Sequence, residues 1–382
     1  MDVSDGRTVV SLRGIRAYVP PPLPPQIEFT PQLVGALSRA DRALGELAGT
    51  GRGMPSPALF TRALLRREAV LSSRIEGTQT TLSDLVLFEL DHSTAVSEDP
   101  TRADAREVAN YVRAMDYLLD EDSRAPLGLW VLREAHRILL TGVRGETAVP
   151  GEFRTDQNWI GSAGAPVEDA SYVPPPPERL RECLDSFESH LRGPRTLPPL
   201  VEIALLHCQF EAIHPFRDGN GRVGRLLVSL LLVEWGLLPG PLLDFSAYIE
   251  RRRDEYYARL LAVSTHDDWP GWIEFFLEVV EVQARDVLAR VQALQTLRED
   301  YRTQVTGARS SSLLPRLVDE VFVNPAMTIA DVMQVLDVTH RAATTNLEKL
   351  VDQGVLQEVT RAGRVRRFLA RDVLTIVNGD QA

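Results

Sequence analysis

A short polar loop between two apolar segments limits most strongly how this chain can fold. Residues 200–213 repeat apolar side chains at helical spacing, and one face carries Ile203, Leu206, Phe210 and Ile213. Residues 226–238 form the longest apolar run, but this run is too short to cross a bilayer and contains Glu234. The pattern therefore predicts two buried helices of a globular protein, with no membrane span.

The loop between these helices opens with His214-Pro215-Phe216. Pro215 prevents the first helix from continuing, so His214 stands at the helix end. Phe216 is apolar within polar surroundings, and we expect it to enter the core and anchor the turn. The imidazole of His214 then lies one loop-length from the next helix, where it can accept a proton from an attacking hydroxyl group.

An anion site is predicted directly after this turn, in the run Asp218-Gly219-Asn220-Gly221. The two glycines let the backbone adopt positive φ angles and expose its N–H groups. The helix that begins near Arg222 adds the unpaired N–H groups and the positive dipole end of its first turn. Such a site suits phosphate, and the neighbouring carboxylate of Asp218 suits Mg²⁺ that bridges phosphates.

Two arginines strengthen the prediction of a phosphate ligand. Arg222 and Arg225 lie three positions apart, so both project from one side of the first helical turn and can bind phosphate oxygens. Simpler interpretations exist for the other residues, because a histidine before proline is commonly a helix cap and Gly-Asn-Gly is commonly only a turn. Arginine at a helix N-terminus, however, opposes the helix dipole, and this conflict favours a bound anion.

Charge and composition exclude other classes of nucleotide-binding protein. The chain has 382 residues and a formal net charge of −11, so it is not a polycation that coats nucleic acid, although a local basic patch stays open. Lys349 is the only lysine. The chain therefore lacks the glycine-rich loop with a following lysine that P-loop nucleotide hydrolases require.

Cysteine and histidine positions do not predict a metal centre. Cys183 and Cys208 have neither paired zinc spacing nor the density of a disulfide framework. His207 and His214 are seven positions apart, whereas helical zinc ligands prefer four. His136 is expected to be a surface or packing residue. Residues 1–19 also lack an apolar signal core, and these features together predict a cytoplasmic protein.

Helical patterns occupy most of the chain from Pro31 onward, and three segments differ from them. Residues 1–30 hold a proline cluster and predict an extended arm that crosses the surface. Residues 145–178 predict a short hairpin. After a polar linker at 307–312, three helices followed by two strands predict a winged helix-turn-helix unit. Its predicted helices are 314–323, one from 328, and 339–353, and its predicted strands are 356–359 and 365–369.

The segment from His214 to Arg225 resembles the Fic motif, His-Pro-Phe-x-Asp/Glu-Gly-Asn-Gly-Arg-x-x-Arg, at every fixed position. With the C-terminal pattern, this resemblance implies an all-α fold: a Fic helical core with a small β-hairpin flap, plus a winged-helix domain. The implied divisions are an N-terminal arm and helical region with an inhibitory motif (1–100), a catalytic core (101–306) and the winged-helix domain (313–376). The implied activity is transfer of AMP from ATP to a Ser, Thr or Tyr hydroxyl of a protein.

The resemblance also implies a role for each residue of the motif. His214 is the general base, and Asp218 holds the Mg²⁺ that accompanies ATP. Arg222 and Arg225 bind the outer phosphates. The implied ATP-binding residues within the motif are Asp218, Gly219, Asn220, Gly221, Arg222, Val223, Gly224 and Arg225.

Residues 151–161 resemble the Fic flap, which in the family pairs with the backbone of the target protein as an added strand. Ile160, Gly161 and Ser162 are then expected near the nucleotide and the target hydroxyl, although a surface hairpin without that role fits the same pattern. An aromatic residue packs near the adenine in the family. We favour Tyr256 over Tyr257 for this contact, and core packing is an equal alternative for either ring.

Ser72, Glu76 and Gly77 match the inhibitory motif of the family, Ser/Thr-x-x-x-Glu-Gly/Asn. Ser72 and Glu76 are four positions apart and share a helical face. The resemblance implies that Glu76 pairs with Arg225 and occupies the guanidinium group that the γ-phosphate of ATP needs. ATP would then bind in a pose unsuited to in-line attack.

Alternative functions stay open at this point. One is a DNA-binding transcriptional regulator whose Fic portion senses nucleotide, and another is a Fic enzyme that transfers a different phosphate-containing group. The predicted wing is basic, with Arg361, Arg364, Arg366, Arg367 and Arg371, but nearby acidic residues nearly cancel this charge. The base His214 favours an enzyme, and the intact motif favours ATP and AMP. Self-modification, a homodimer and DNA are further hypotheses on partners.

Overall fold

The computed structural model describes residues 8–10, 14, 16–53, 58–91, 100–120, 122, 126–143, 149–161, 166–306, 313–360 and 365–379. Over these ranges the chain forms fifteen α-helices and five short strands. The helices are α1 (Pro31–Gly53), α2 (Ala58–Ile75), α3 (Leu82–Glu89), α4 (Pro100–Leu119), α5 (Leu129–Leu140), α6 (Pro177–Arg192), α7 (Pro199–Ile213), α8 (Asn220–Glu234), α9 (Ser246–Arg251), α10 (Arg253–His266), α11 (Trp269–Val305), α12 (Leu314–Val323), α13 (Ile329–Leu336), α14 (His340–Asp352) and α15 (Arg371–Asn378). The strands are β1 (Thr8–Val10), β2 (Arg16–Tyr18), β3 (Ala326–Thr328), β4 (Gln357–Glu358) and β5 (Arg367–Leu369).

Helices α7 and α8 lie at the centre of the core, on either side of the polar loop. Nearly every residue of both helices is buried, which explains why their sequences are apolar on all faces. The long helix α11 packs along α1 and also supports α7, because the indole N–H of Trp272 donates to the carbonyl oxygen of Ala204 at 2.8 Å. The predicted all-α class is confirmed, and no helix in the described ranges is long and apolar enough to cross a membrane.

The N-terminal arm and the hairpin within 145–178 both differ from their predictions. The arm that was predicted to be extended begins with an antiparallel pair, β1 and β2, before it crosses the surface. Gln209 fixes the crossing segment by donating to the carbonyl oxygen of Pro21 at 2.9 Å. The hairpin predicted within 145–178 has a single antiparallel bridge, between Ile160 and Tyr172, in its described part.

The chain after residue 313 contains the predicted helices α12, α13 and α14, and an antiparallel sheet with the order β3-β5-β4. Helix α15 follows the sheet and was not predicted. The unit packs against α2, where Arg66 donates to the carbonyl oxygen of Val323 at 2.6 Å and to Asn324 Oδ1 at 3.0 Å. The winged-helix assignment and the domain limits 1–100, 101–306 and 313–376 stay predictions.

The two residues after Arg66 also anchor α2 in the core. Arg67 forms a buried ion pair with Asp244. The carboxylate of Glu68 accepts a hydrogen bond from the backbone N–H of Ser246 at 2.9 Å. The middle of helix α2 is therefore firmly held. The predicted inhibitory motif lies beyond this point, in the last turn of α2 and the two residues that follow it.

Candidate active site

The loop after α7 depends on two residues with positive φ. His214 has φ 49° and ψ 60°, yet its N–H still donates to the carbonyl oxygen of Phe210 at 3.0 Å, so it is the last residue bonded to the helix. Such a conformation is uncommon for a residue other than glycine. Gly219 has φ 76° and directly precedes α8. These two residues turn the chain sharply between antiparallel helices.

Side chains from the flap segment bind the carbonyl groups of this loop. Arg154 is buried; its Nε–H donates to the carbonyl oxygen of His214 at 2.9 Å, and its backbone N–H donates to that of Pro215 at 2.9 Å. The Asn158 amide donates to the carbonyl oxygen of Phe216 at 2.9 Å. The loop and the base of the flap therefore form one hydrogen-bonded structure.

Phe216 is fully buried, as its apolar character predicts. Its ring lies 5.3 Å from that of Phe153 and 6.4 Å from that of Phe210, measured between centroids. The side chain of Asn220 closes the turn around it, because Oδ1 accepts from the N–H of Phe216 at 2.8 Å and Nδ2 donates to its carbonyl oxygen at 2.8 Å. The side-chain amide of Asn220 therefore holds the loop. Of the hydrogen-bond donors of Asn220, the backbone N–H is the one that an anion can use.

The first turn of α8 has the groups that suit an anion. The first N–H groups of a helix have no intrahelical partner, and no side chain caps them here. Gly221 keeps this turn open, because a side chain there would collide with the Glu76 carboxylate and would lie 2.9 Å from Arg225 Nη1. The predicted cradle of backbone N–H groups and guanidinium groups is therefore assembled at one helix end.

Two motif residues that were predicted to bind ATP face the core instead. Val223 is fully buried, and Gly224 is enclosed by neighbouring side chains. A Cβ atom on Gly224 would lie 3.3 Å from His207 Cε1 and would collide with the Glu211 carboxylate. The helical period explains this, because residues 223 and 224 lie on the opposite side of the turn from Arg222 and Arg225.

The two motif arginines are both buried and both engaged by carboxylates. Arg222 pairs with Glu107 of α4, and its Nη2 lies 3.7 Å from Asp218 Oδ1. Arg225 is only 1% exposed and donates from Nη2 to Glu76 Oε1 at 2.7 Å. The partner Glu107 could not be found from the sequence, because nothing in the local pattern of α4 marks it.

Glu76 contacts Arg225 as the inhibitory motif predicts, and Ser72, whose contact was not predicted, binds the same guanidinium group. The Arg225 Nε–H donates to Ser72 Oγ at 2.8 Å, and its Nη2 donates to the Ser72 carbonyl oxygen at 3.0 Å. Burial opposes ionisation of Glu76, but the charge of Arg225 outweighs it and lowers the pKa of the carboxyl group. Gly77 follows with φ 106°, so the chain leaves the helical conformation there. The pair is therefore ionic at neutral pH.

His214 has the tautomer that a general base requires. Its Nδ1 lies 3.3 Å from the carbonyl oxygen of Glu211. A carbonyl oxygen can only accept, so Nδ1 carries the hydrogen and Nε2 has a free lone pair. Burial lowers the pKa of His214 to about 4, so the ring is neutral at physiological pH.

This shift can be measured by NMR titration of the intact protein. We expect the Cε1–H signal of His214, assigned by its loss in His214→Ala, to stay constant from pH 7.5 to about pH 5.5, because a group with pKa about 4 takes up its proton below that range. A midpoint near pH 6.5 would contradict the lowered pKa of His214.

The two aromatic residues on α10 have different surroundings. Tyr256 is buried, and its hydroxyl group is bonded to His207 Nε2 at 2.9 Å, so its ring belongs to the core. The ring of Tyr257 is the exposed one, at 38%, and lies 5.6 Å from the guanidinium carbon of Arg253. The geometry favours Tyr257 over Tyr256 for contact with a nucleotide, and an adenine contact stays a prediction.

Part of the flap segment is exposed. Ile160 and Gly161 are exposed, and the hydroxyl group of Tyr172 donates to the carbonyl oxygen of Ala212 at 2.7 Å, which ties the flap to α7. Ser162, the third residue predicted here, lies outside the described residues.

Asp218 fits a Mg²⁺ that arrives with phosphates. Its side chain is 53% exposed beside the anion site, and its Oδ1 accepts from the N–H of Gly219 at 2.6 Å. The described residues contain no group of three or more His, Cys, Asp or Glu side chains that could hold a metal ion. A single carboxylate suits Mg²⁺, which is commonly bound through one or two carboxylates, substrate phosphates and water.

Two family models match the parts of the chain that form this site. The model described as Fic/DOC family N-terminal matches residues 34–120, and the model described as Fic/DOC family matches residues 126–232. The chain belongs to the Fic/DOC family. The second model includes the whole motif from His214 to Arg225, and the first includes the inhibitory motif, so both segments lie in the matched part of this Fic protein.

Curated relatives of this Fic protein match part of it. A probable protein adenylyltransferase of Aquifex aeolicus is 27% identical over 204 residues, which cover 53% of this chain and 59% of that protein. A protein adenylyltransferase Fic of Drosophila yakuba is 31% identical over 150 residues, 39% of this chain and 27% of that protein. The match therefore spans less than two thirds of the length of these relatives.

Solved structures confirm the fold. A Fic family protein from Desulfovibrio desulfuricans aligns with a TM-score of 0.59 at 22% identity, over 91% of this chain and 98% of that one. Fic-1 from C. elegans (residues 134–508) aligns with a TM-score of 0.54 at 20% identity, over 69% of this chain and 75% of that one.

Proposed function

We propose that this protein transfers AMP from ATP to a Ser, Thr or Tyr hydroxyl group of a protein. The observation that carries the proposal is the neutral ring of His214, with Nε2 free, held beside the helix end that carries Arg222, Arg225 and Asp218. The relatives described as protein adenylyltransferases support the same activity.

The proposed reaction is an in-line displacement at the α-phosphorus of ATP. The hydroxyl oxygen of the target forms a bond to this phosphorus, the bond to the oxygen that bridges to the β-phosphate breaks, and pyrophosphate leaves. His214 Nε2 accepts the hydroxyl proton. The first-turn N–H groups of α8, Arg222 and Arg225 orient the phosphates and stabilise their charge. Mg²⁺ held by Asp218 would supply further neutralisation of the leaving pyrophosphate.

The flap supports a protein as the acceptor. Ile160 and Gly161 are exposed, and an extended segment of a target that lies against them would place the target hydroxyl near His214. A segment of the same chain or of a second copy can occupy the same edge, so self-modification and a homodimer are part of the proposal.

We also propose that Glu76 inhibits the transfer. Glu76 Oε1 accepts from Nη2 of the buried Arg225, and Ser72 Oγ accepts from its Nε–H, so the two residues together satisfy donors that the γ-phosphate would need. A nucleotide that binds beside the intact pair would lack this contact and would not reach the orientation for in-line attack.

The structure gives less support to a DNA-binding regulator. Arg366 pairs with Glu348 and Glu358, and Arg367 pairs with Asp91, so both arginines are neutralised within the chain. Arg361 and Arg364 lie outside the described residues. We therefore favour a docking role within the protein for the C-terminal unit over binding of nucleic acid phosphates.

The test is the fate of label from ATP in the purified Glu76→Gly protein. With ATP labelled at the α-phosphorus we expect covalent label on protein, and with ATP labelled at the γ-phosphorus we expect none, because AMP keeps only the α-phosphate. Retention of the γ-label alone would replace the proposal with phosphate transfer. If neither label is retained, with cell extract supplied as acceptor, the proposed function is wrong.

A further inference from the structure

We propose that His136 is a positioning residue for the catalytic loop, acting on the orientation of Asp218 through the loop backbone. This inference rests on the proposed function. His136 lies on α5, outside the Fic motif, and the sequence predicted only a surface or packing role for it.

The two ring nitrogens of His136 bind two different segments. Nδ1 accepts a hydrogen bond from the backbone N–H of Gly151, at the start of the flap, at 2.8 Å. Nε2 must then carry the hydrogen, and it donates to the carbonyl oxygen of Asp218 at 3.0 Å. The ring therefore joins the base of the flap to the residue assigned to Mg²⁺.

The ring also fixes the loop by stacking. Its plane lies 7° from that of Phe216, with centroids 3.8 Å apart, and the side chain is fully buried. A Cβ atom on Gly219 would lie 3.5 Å from His136 Cδ2, so the ring also packs under the left-handed turn before α8. Three successive parts of the loop, at Phe216, Asp218 and Gly219, are thus set by one side chain.

A simple packing residue would not need this chemistry. A phenyl ring would fill the same space against Phe216, but it would leave the buried N–H of Gly151 and the carbonyl oxygen of Asp218 without partners. The carboxylate of Asp218 projects from the backbone whose carbonyl group His136 binds. If that carbonyl group loses its hydrogen bond, the carboxylate of Asp218 is expected to move. A shift of this kind disturbs the geometry of in-line attack.

The experiment compares His136→Phe, His136→Gln and His136→Asn, each in the Glu76→Gly protein. Glutamine can keep the donor to Asp218, asparagine can keep the acceptor for Gly151, and phenylalanine keeps only the stacking. We expect kcat for AMP transfer to fall about 100-fold in His136→Phe, with partial recovery in His136→Gln and less in His136→Asn. We also expect the Mg²⁺ concentration for half-maximal rate to rise most in His136→Phe, less in His136→Asn and least in His136→Gln.

A second readout does not require activity. Hydrogen exchange of the Gly151 amide is expected to accelerate at least tenfold in His136→Phe and His136→Gln, but less in His136→Asn. His190→Phe is the matched control. It removes a histidine that lies away from the loop and whose Nε2 is 2.8 Å from Glu202 Oε2, and it should leave transfer and Gly151 exchange unchanged.

The outcomes separate the two proposals. If the Glu76→Gly protein transfers no AMP, the proposed function fails, and the Gly151 exchange still tests the contact. If it transfers AMP and His136→Phe matches it in kcat and Mg²⁺ dependence, the positioning role is wrong. Should His136→Phe fail to fold, the glutamine and asparagine variants take its place. If both match the Glu76→Gly protein in rate and Mg²⁺ dependence, the positioning role is overturned as well.

Discussion

Replacement of His214 by alanine in the Glu76→Gly protein is expected to reduce AMP transfer by about 10²- to 10⁴-fold, the usual contribution of a general base. The proposed reaction uses Nε2 of His214, whereas its backbone N–H is bonded to Phe210 of α7 and its carbonyl oxygen to Arg154 of the flap segment. Binding of ATP with Mg²⁺ should change by less than about threefold, because the phosphate contacts come from α8. Transfer is measured with α-labelled ATP and binding by calorimetry.

The control for this variant is His190→Ala, which also removes a partly buried histidine but leaves the loop intact. We expect it to retain full transfer. Undiminished transfer by the His214→Ala protein would refute its assignment as the base. Loss of ATP binding together with transfer would instead indicate that the ring is needed to hold the loop.

Replacement of Glu76 by glycine is expected to raise AMP transfer by about 10- to 100-fold over the wild type, since a misoriented reacting group commonly costs that much. The change frees the Arg225 donor that is now bonded at 2.7 Å. Glu76→Gln tests the charge separately, because glutamine keeps the shape and one acceptor oxygen but forms a weaker hydrogen bond with a guanidinium group. Its rate should therefore lie between those of the wild type and the glycine variant.

Glu46→Gly is the matched control, because it removes an exposed helical glutamate from α1 and places glycine within a helix. Its transfer rate should equal that of the wild type. Equal label incorporation by the wild type and Glu76→Gly would remove the inhibitory role, even though the ion pair with Arg225 exists. A rate for Glu76→Gln equal to that of Glu76→Gly would assign inhibition to charge alone.

The sequence predicts that the candidate residues of this site lie together because they are close along the chain. His214, Asp218 and Arg225 fall within one helix end and its loop, so spacing alone places them together. Periodicity also predicts the two central helices, since their burial on every side requires apolar residues throughout. The inhibitory pair could be predicted only through the family resemblance, because Glu76 and Arg225 are far apart along the chain.

The supporting contacts could not be predicted because they depend on long-range packing. His136 meets Asp218 across 82 positions, and Arg154 meets His214 across 60, and neither residue type signals such a role in its own segment. The different exposures of Tyr256 and Tyr257 could not be predicted for a related reason. Adjacent helical residues differ by about 100° in direction, and only the packing of α10 decides which ring is covered.

The fixed middle of α2 restricts how Glu76 can leave Arg225. Departure of the whole helix would separate Arg67 from Asp244, a buried pair whose disruption commonly costs about 3–5 kcal/mol, and would also break the contacts of Arg66 with the C-terminal unit. Unwinding of the final turn next to Gly77, or rotation of the Glu76 side chain, breaks neither. If Glu76 inhibits transfer as proposed, an activating signal needs to loosen only a few residues at the end of the helix, while the rest of the fold stays as it is.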